Sequence, residues 1–110
     1  MTWKIEFTPE ALKDFESLDG SQRKLVVKAL NKVSLNPLPE QLGGYGKTLG
    51  NHSDTKLHGF LKIKLRSSGI RIVYQLIEVN GIMLIIVIGL RADNEVYDIA
   101  DKRIKKNLIK

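Results

Sequence analysis

Cysteine is absent from this sequence of 110 residues, which excludes disulfides, thiolate metal sites and cysteine nucleophiles at once. Histidine is nearly as scarce. With only two, His52 and His58, a zinc site built without thiolates would need both of them plus carboxylates. No metal or cofactor is therefore expected. Aromatic residues make up 6% of the chain, too few for a surface on which stacking aromatics alternate with cations. Hydrophobic runs are short as well. The longest, Ile82 to Leu90, falls far below the ~20 residues of a membrane-spanning helix. The opening MTWKIEF carries Glu6 and no apolar h-region, so neither a signal peptide nor membrane contact is expected, and a cytoplasmic location is. The last shortage is local: residues 55–77 contain no Asp or Glu.

That gap decides where the charge sits. The chain carries 18 Lys/Arg against 12 Asp/Glu, a formal net charge of +6, and the stretches on either side of the gap are nearly balanced. Lys56, Lys62, Lys64, Arg66 and Arg71 supply most of the excess from within it. A concentrated excess of this kind points to an anionic partner. With 43% hydrophobic residues, the chain can bury one core, and residues 1–110 read as a single domain.

Thr2 to Phe7 alternates apolar Trp3, Ile5 and Phe7 with polar neighbours, the period of a half-buried strand. Thr8-Pro9-Glu10 then supplies a capping hydroxyl, a proline suited to the first helical position and a first-turn acid. The helix that follows carries Ala11, Leu12, Phe15 and Leu18 on one stripe, and Asp19-Gly20 ends it. Ser21 is a candidate cap for a second helix with Leu25, Val26, Ala29, Leu30 and Val33 on its buried face, running to about Leu35 before Pro37 and Pro39. Residues 36–58, rich in glycine, read as a long connection with little regular structure. Gly46-Lys47-Thr48 within it has the ending of a phosphate loop, but that motif needs glycine five residues earlier and finds Gln41.

Three strands follow, Phe60 to Arg66, Ile70 to Ile77 and Ile82 to Gly89, separated by Ser67-Ser68-Gly69 and by Asn80-Gly81. The last is apolar throughout, as befits a central strand covered on both faces. A final helix capped by Asp93 or Asn94 buries Val96, Ile99, Ala100 and Ile104 and ends in Lys102, Arg103, Lys105 and Lys106, cations that suit a helix C-terminus. The order β-α-α-β-β-β-α predicts an α+β fold: a mainly antiparallel sheet with an N-terminal helical hairpin and a C-terminal helix packed on it.

Alternation places Lys62, Lys64 and Arg66 on one face of the first meander strand and Leu61, Ile63 and Leu65 on the other. If the turn closes with Arg66 opposite Arg71, all four cations share that face, with Lys64 opposite Val73 and Lys62 opposite Gln75. Such a face is either the solvated side of an antiparallel sheet or a phosphate site. On their own, Arg91 reads as a surface residue preceding a helix and Tyr97 as a half-buried packing residue.

The segments KLHGFLKIKLRSSGIRIVYQL and VIGLRADNEVYDIADKRI, together with the F-x-x-x-A-L-K-D-F spacing from Phe7 to Phe15, resemble the RelE branch of the RelE/ParE toxins over nearly the whole chain. The resemblance implies a microbial ribonuclease-like fold and metal-independent endoribonuclease activity on mRNA in the ribosomal A site. It also implies neutralisation by a cognate antitoxin, RelB-like or other. By matching positions it puts the active site at Lys62, Lys64, Arg71, Arg91 and Tyr97; Arg66 and Lys56, the remaining cations of the acid-free segment, are expected as further RNA phosphate contacts. The chain departs from the pattern in one place. Where RelE-like proteins often carry an arginine in an L-R-G segment, Leu49-Gly50-Asn51 and Leu57-His58-Gly59 offer no cation.

Metal-free RNA cleavage needs a base for the 2′-hydroxyl, cations for the charge that develops on phosphorus, and an acid for the 5′-oxygen. His52 and His58 lie in the glycine-rich connection and read as non-catalytic, since histidine chemistry requires a positioned partner. A lysine becomes a base only when its pKa falls, and a neighbouring cation ~7 Å away at partial burial contributes on the order of 1 to 2 kcal/mol toward that. Arg91 would neutralise charge, and Tyr97 would stack on a base or orient the ribose. A ParE-like inhibitor of DNA gyrase and a plain basic nucleic-acid-binding domain are the alternatives.

Overall fold

The computed structural model describes residues 3–48, 60–90 and 93–108. Lys56 and Arg91, both expected at the site, lie outside the described residues, as do His52 and His58. Strand β1 (Lys4–Phe7) leads into helices α1 (Pro9–Glu16) and α2 (Gly20–Val33). A two-residue strand β2 (Lys47–Thr48) precedes β3 (Phe60–Leu65), β4 (Ile70–Ile77) and β5 (Ile82–Gly89), and α3 (Asp93–Leu108) follows. The sheet order is β1-β5-β4-β3-β2. All neighbours are antiparallel except β1 and β5, which run parallel. The expected α+β fold, with its helical hairpin and C-terminal helix, is the one found, extended by β2.

Local chemistry starts the helices where expected, with one change of cap. Thr8 Oγ1 accepts from the Ala11 N–H at 3.1 Å and Pro9 opens α1. The cap of α2 is Asp19 rather than Ser21: its carboxylate accepts from the Gln22 N–H at 2.8 Å while Gln22 Oε1 accepts from the Asp19 N–H at 3.0 Å. This reciprocal box satisfies two end-of-helix donors. These bonds, the Gln22 amide first, hold the Asp19 carboxyl below the usual carboxylate range. Leu12 and Leu25, expected on buried stripes, are exposed, because the hairpin meets the sheet through Ala11, Phe15, Leu18, Val26, Leu30 and Val33.

The sheet is covered on both sides. Ile70, Ile72 and Tyr74 of β4 and Leu61 and Ile63 of β3 pack under α1 and α2, while Phe60, Val73 and Val87 pack under Val96, Tyr97 and Ala100 of α3. Pairing between β4 and β5 shifts by one residue, from Val73 opposite Val87 to Tyr74 opposite Ile85, which leaves Ile86 as the extra residue of a bulge. The bulge changes the phase of β5. Met83, Ile85 and Ile88 face the helical hairpin, whereas Ile86 and Val87, neighbours in sequence, both face α3.

Beyond the bulge, β5 has run past the end of β1, and two side chains take over the edge. Asp14 Oδ2 accepts from the Ile88 N–H at 3.0 Å, and Arg103 Nη1 donates to the Ile86 carbonyl at 2.8 Å. The same two side chains form a bidentate pair, at 2.7 and 3.2 Å. Arg103, expected in a cationic last turn, instead reaches inward from α3 to α1.

The connection after α2 is more ordered than expected up to residue 48. Tyr74 Oη, buried in the core, donates to the Pro37 carbonyl at 2.7 Å, and burial raises the Tyr74 pKa. Gly46 lies against this hydroxyl, so that a Cβ there would collide with Tyr74 Oη. The Gly46 carbonyl accepts from the Glu40 N–H at 2.8 Å, and its N–H donates to the Leu38 carbonyl at 3.0 Å. Lys47 and Thr48 then pair with Lys62 and Leu61 at the sheet edge.

Asp14→Ala strands Arg103 and the Ile88 N–H together, and removing one partner of a largely buried pair costs about 2 to 4 kcal/mol. Urea unfolding should show that loss, with Arg103→Lys, which keeps the charge but not the fork, falling between it and the wild type.

Candidate active site

The site lies on the α3 side of the sheet, where β3 and β4 extend past the cover of the helix. Lys64 stands opposite Arg71 and Lys62 opposite Val73. This register is displaced by two residues from the expected one, in which Arg66 faced Arg71. A shift of two keeps every side chain on its face, so Lys62, Lys64 and Arg71 still share one surface. Arg66 does not join the ladder. It falls in the turn of residues 66–69 and is exposed, where Gly69 at φ 76° closes the chain and its N–H donates to the Leu65 carbonyl at 2.9 Å.

All three ladder cations are half-buried. Nη1 of Arg71 turns back to the Ile70 carbonyl at 3.3 Å. Lys62 Nζ lies 5.2 Å from the centroid of the Tyr97 ring, within range of a cation–π attraction. Tyr97 is only 5% exposed and belongs to the core beneath α3. That corrects the half-buried expectation: its place one step from the helix stripe still points into the sheet, because the bulge brings Ile86 and Val87 beneath it. The ring therefore flanks the Lys62 ammonium. β5 ends at Gly89, which is opposite Arg71, two residues before Arg91 in sequence.

Three residues that shape this face escape the sequence reading. Lys47, set aside with the failed phosphate loop, is directly opposite Lys62. Arg103 and Asp14 hold α3, and with it Tyr97, against the sheet. Their signal was present, since Asp14 sits within the stripe of Ala11, Phe15 and Leu18, and Arg103 three residues after buried Ala100: opposite charges at two core-facing positions. Among the described residues, no group of three His, Asp or Glu side chains is placed to hold a metal ion, and no helix is long and apolar enough to cross a membrane.

Residues 5–95 match the family model for the ParE toxin of type II toxin–antitoxin systems. The mRNA interferase toxin RelE of Escherichia coli K12 is 36% identical over 94% of this chain and 99% of its own length. The chain belongs to the RelE-like toxins of this family. Among solved structures, a double arginine-to-alanine mutant of E. coli RelE in the free state superposes with a TM-score of 0.73 at 35% identity, covering 94% of this chain and 99% of that one. The E. coli RelBE toxin–antitoxin complex gives 0.64 at 29% identity, covering 82% and 98%. The β3–β4 cations of this RelE-like toxin thus sit on a fold shared over almost its whole length.

Because Tyr97 is core and the cations are not, their substitutions should separate. Tyr97→Ala should lose about 3 kcal/mol in thermal or urea unfolding, as truncation of a buried aromatic does, while Lys64→Ala and Arg71→Ala change stability by less than about 1 kcal/mol.

Proposed function

We propose that this protein is an endoribonuclease that cuts mRNA in the A site of the ribosome without a metal cofactor, and that a cognate antitoxin holds it inactive. The observation that carries the reading is the gathering of Lys62, Lys64 and Arg71 on one face, with the Lys62 ammonium flanked by the Tyr97 ring. The names of the relatives support the same activity, and the RelBE complex supports an antitoxin partner.

In this reading the 2′-oxygen of the scissile nucleotide attacks the adjacent phosphorus and gives up its proton to one of the two β3 lysines. A pentacoordinate centre forms, the 5′-oxygen leaves with a proton donated by Arg91 against the phosphate, and the products are a cyclic phosphate and a 5′-hydroxyl end. Arg71 and Arg91 offset the negative charge on the non-bridging oxygens, where preorganised cations do most in a partly dehydrated site. Tyr97 acts as a positioning residue through Lys62. Arg66, exposed at the turn, and Lys56 are placed by the same proposal on the RNA backbone outside the reacting phosphate. Proton transfer through lysine and arginine is inefficient, so the reaction depends on a substrate already bent and aligned, and alignment supplies the larger part of the rate. The ribosome provides it.

A second reading, inhibition of DNA gyrase, has one observation in its favour: the matching family model is that of ParE. The two are told apart by paired assays. In a translating extract the protein should generate new 5′ ends within the A-site codon, cut free RNA poorly and leave gyrase supercoiling intact, with Lys64→Ala or Arg71→Ala slowing cleavage by roughly a hundredfold or more. Gyrase inhibition without cleavage would reverse the choice.

A further inference from the structure

Lys47 stands directly opposite Lys62 across β2 and β3. In an antiparallel pair, opposed residues leave the same face with Cβ atoms ~4.5–5.5 Å apart. The face of Lys62 is fixed by the Tyr97 ring 5.2 Å from its Nζ, so Lys47 belongs to the α3 side as well. Two like-charged cross-strand pairs, Lys47 with Lys62 and Lys64 with Arg71, therefore lie side by side over three adjacent strands. At ~4.8 Å between strands the row is ~10 Å wide, several times the ~3.4 Å rise of one stacked nucleotide. Placing like charges opposite one another is unfavourable in a sheet, and an anion laid along the row relieves it.

The carrier of Lys47 is held from below. Gly46 is bonded on both sides, through Glu40 and Leu38, and packs so closely on the buried Tyr74 hydroxyl that no larger residue fits. That hydroxyl is itself tied to the Pro37 carbonyl at 2.7 Å. A half-buried lysine on a two-residue strand so fixed has a defined place beside the site. Among the described residues, no carboxylate forms an ion pair with it.

We infer that Lys47 contacts the RNA sugar–phosphate backbone, extending the cation row from the reacting phosphate to the β2 edge. The inference rests on the RNA-cutting reading of this face. The phosphates are those of the mRNA or of ribosomal RNA, and two binding arms distinguish them: a short 2′-O-methyl single-stranded RNA, and ribosomes without mRNA. In the arm that supplies the phosphate, Lys47→Ala should weaken binding about tenfold at low salt. The slope of log affinity against log salt should become shallower by about 0.7, one phosphate contact on a single strand. Lys47→Arg should restore both. Unchanged affinity and slope in both arms, while Lys64→Ala weakens either one, would overturn the role of Lys47 and leave the site standing. Weakening by Lys47→Ala with an unchanged salt slope and no rescue by arginine would also overturn it, as the effect of a disturbed β2. If Lys64→Ala is as silent as Lys47→Ala, the whole face is misassigned.

Discussion

The one-residue bulge at Ile86, and the Asp14–Arg103 pair that occupies the strand edge beside it, couple the two helical layers to a single sheet. Without the extra residue, the Ile88 N–H and Ile86 carbonyl would be turned toward β4. With it, they point outward beyond the end of β1 and would be unmatched polar groups in a low-dielectric setting. One carboxylate from α1 and one guanidinium from α3 satisfy both and each other. The arrangement spans all three layers, so the height and angle of α3 over the sheet follow from it. The position of Tyr97, and of the Lys62 ammonium over its ring, follows in turn.

The proposed RNA face carries the half-buried cations that flank this packing. α3 shields Phe60, Val73 and Val87, and its Tyr97 ring flanks Lys62 at the near end of the row that continues to Lys64 and Arg71. Cations with one apolar flank are partly desolvated, which strengthens their pull on a phosphate. The same desolvation makes the undocked state costly.

Much of this could be read from the residues. Thr8-Pro9-Glu10 starts α1 through hydrogen bonds confined to a few residues, and the alternation in Phe60 to Leu65 separates core from cation face with no knowledge of the partner strand. What escaped has a common cause. The run from Ile82 to Ile88 is apolar at every position, so it carries no period in which a phase change at Ile86 could be noticed. A two-residue difference in register between β3 and β4 keeps the faces, so alternation is blind to it and cannot show that Arg66 falls in the turn. Parallel pairing of β1 with β5 and the return of Lys47 beside Lys62 are long-range contacts. They are decided by the buried Tyr74 hydroxyl and the end of the sheet rather than by any local signal.

The central claim is that the RNA lies on the α3 side of the β3–β4 ladder when the protein is on the ribosome. A photoreactive thiouridine in the A-site codon of a non-cleavable mRNA tests this directly. After irradiation with the ribosome-bound protein, cross-linked peptides should come from β3, from β4 near Arg71 and from the start of α3. Cross-links concentrated on α1 or α2, the opposite side of the sheet, would contradict the account.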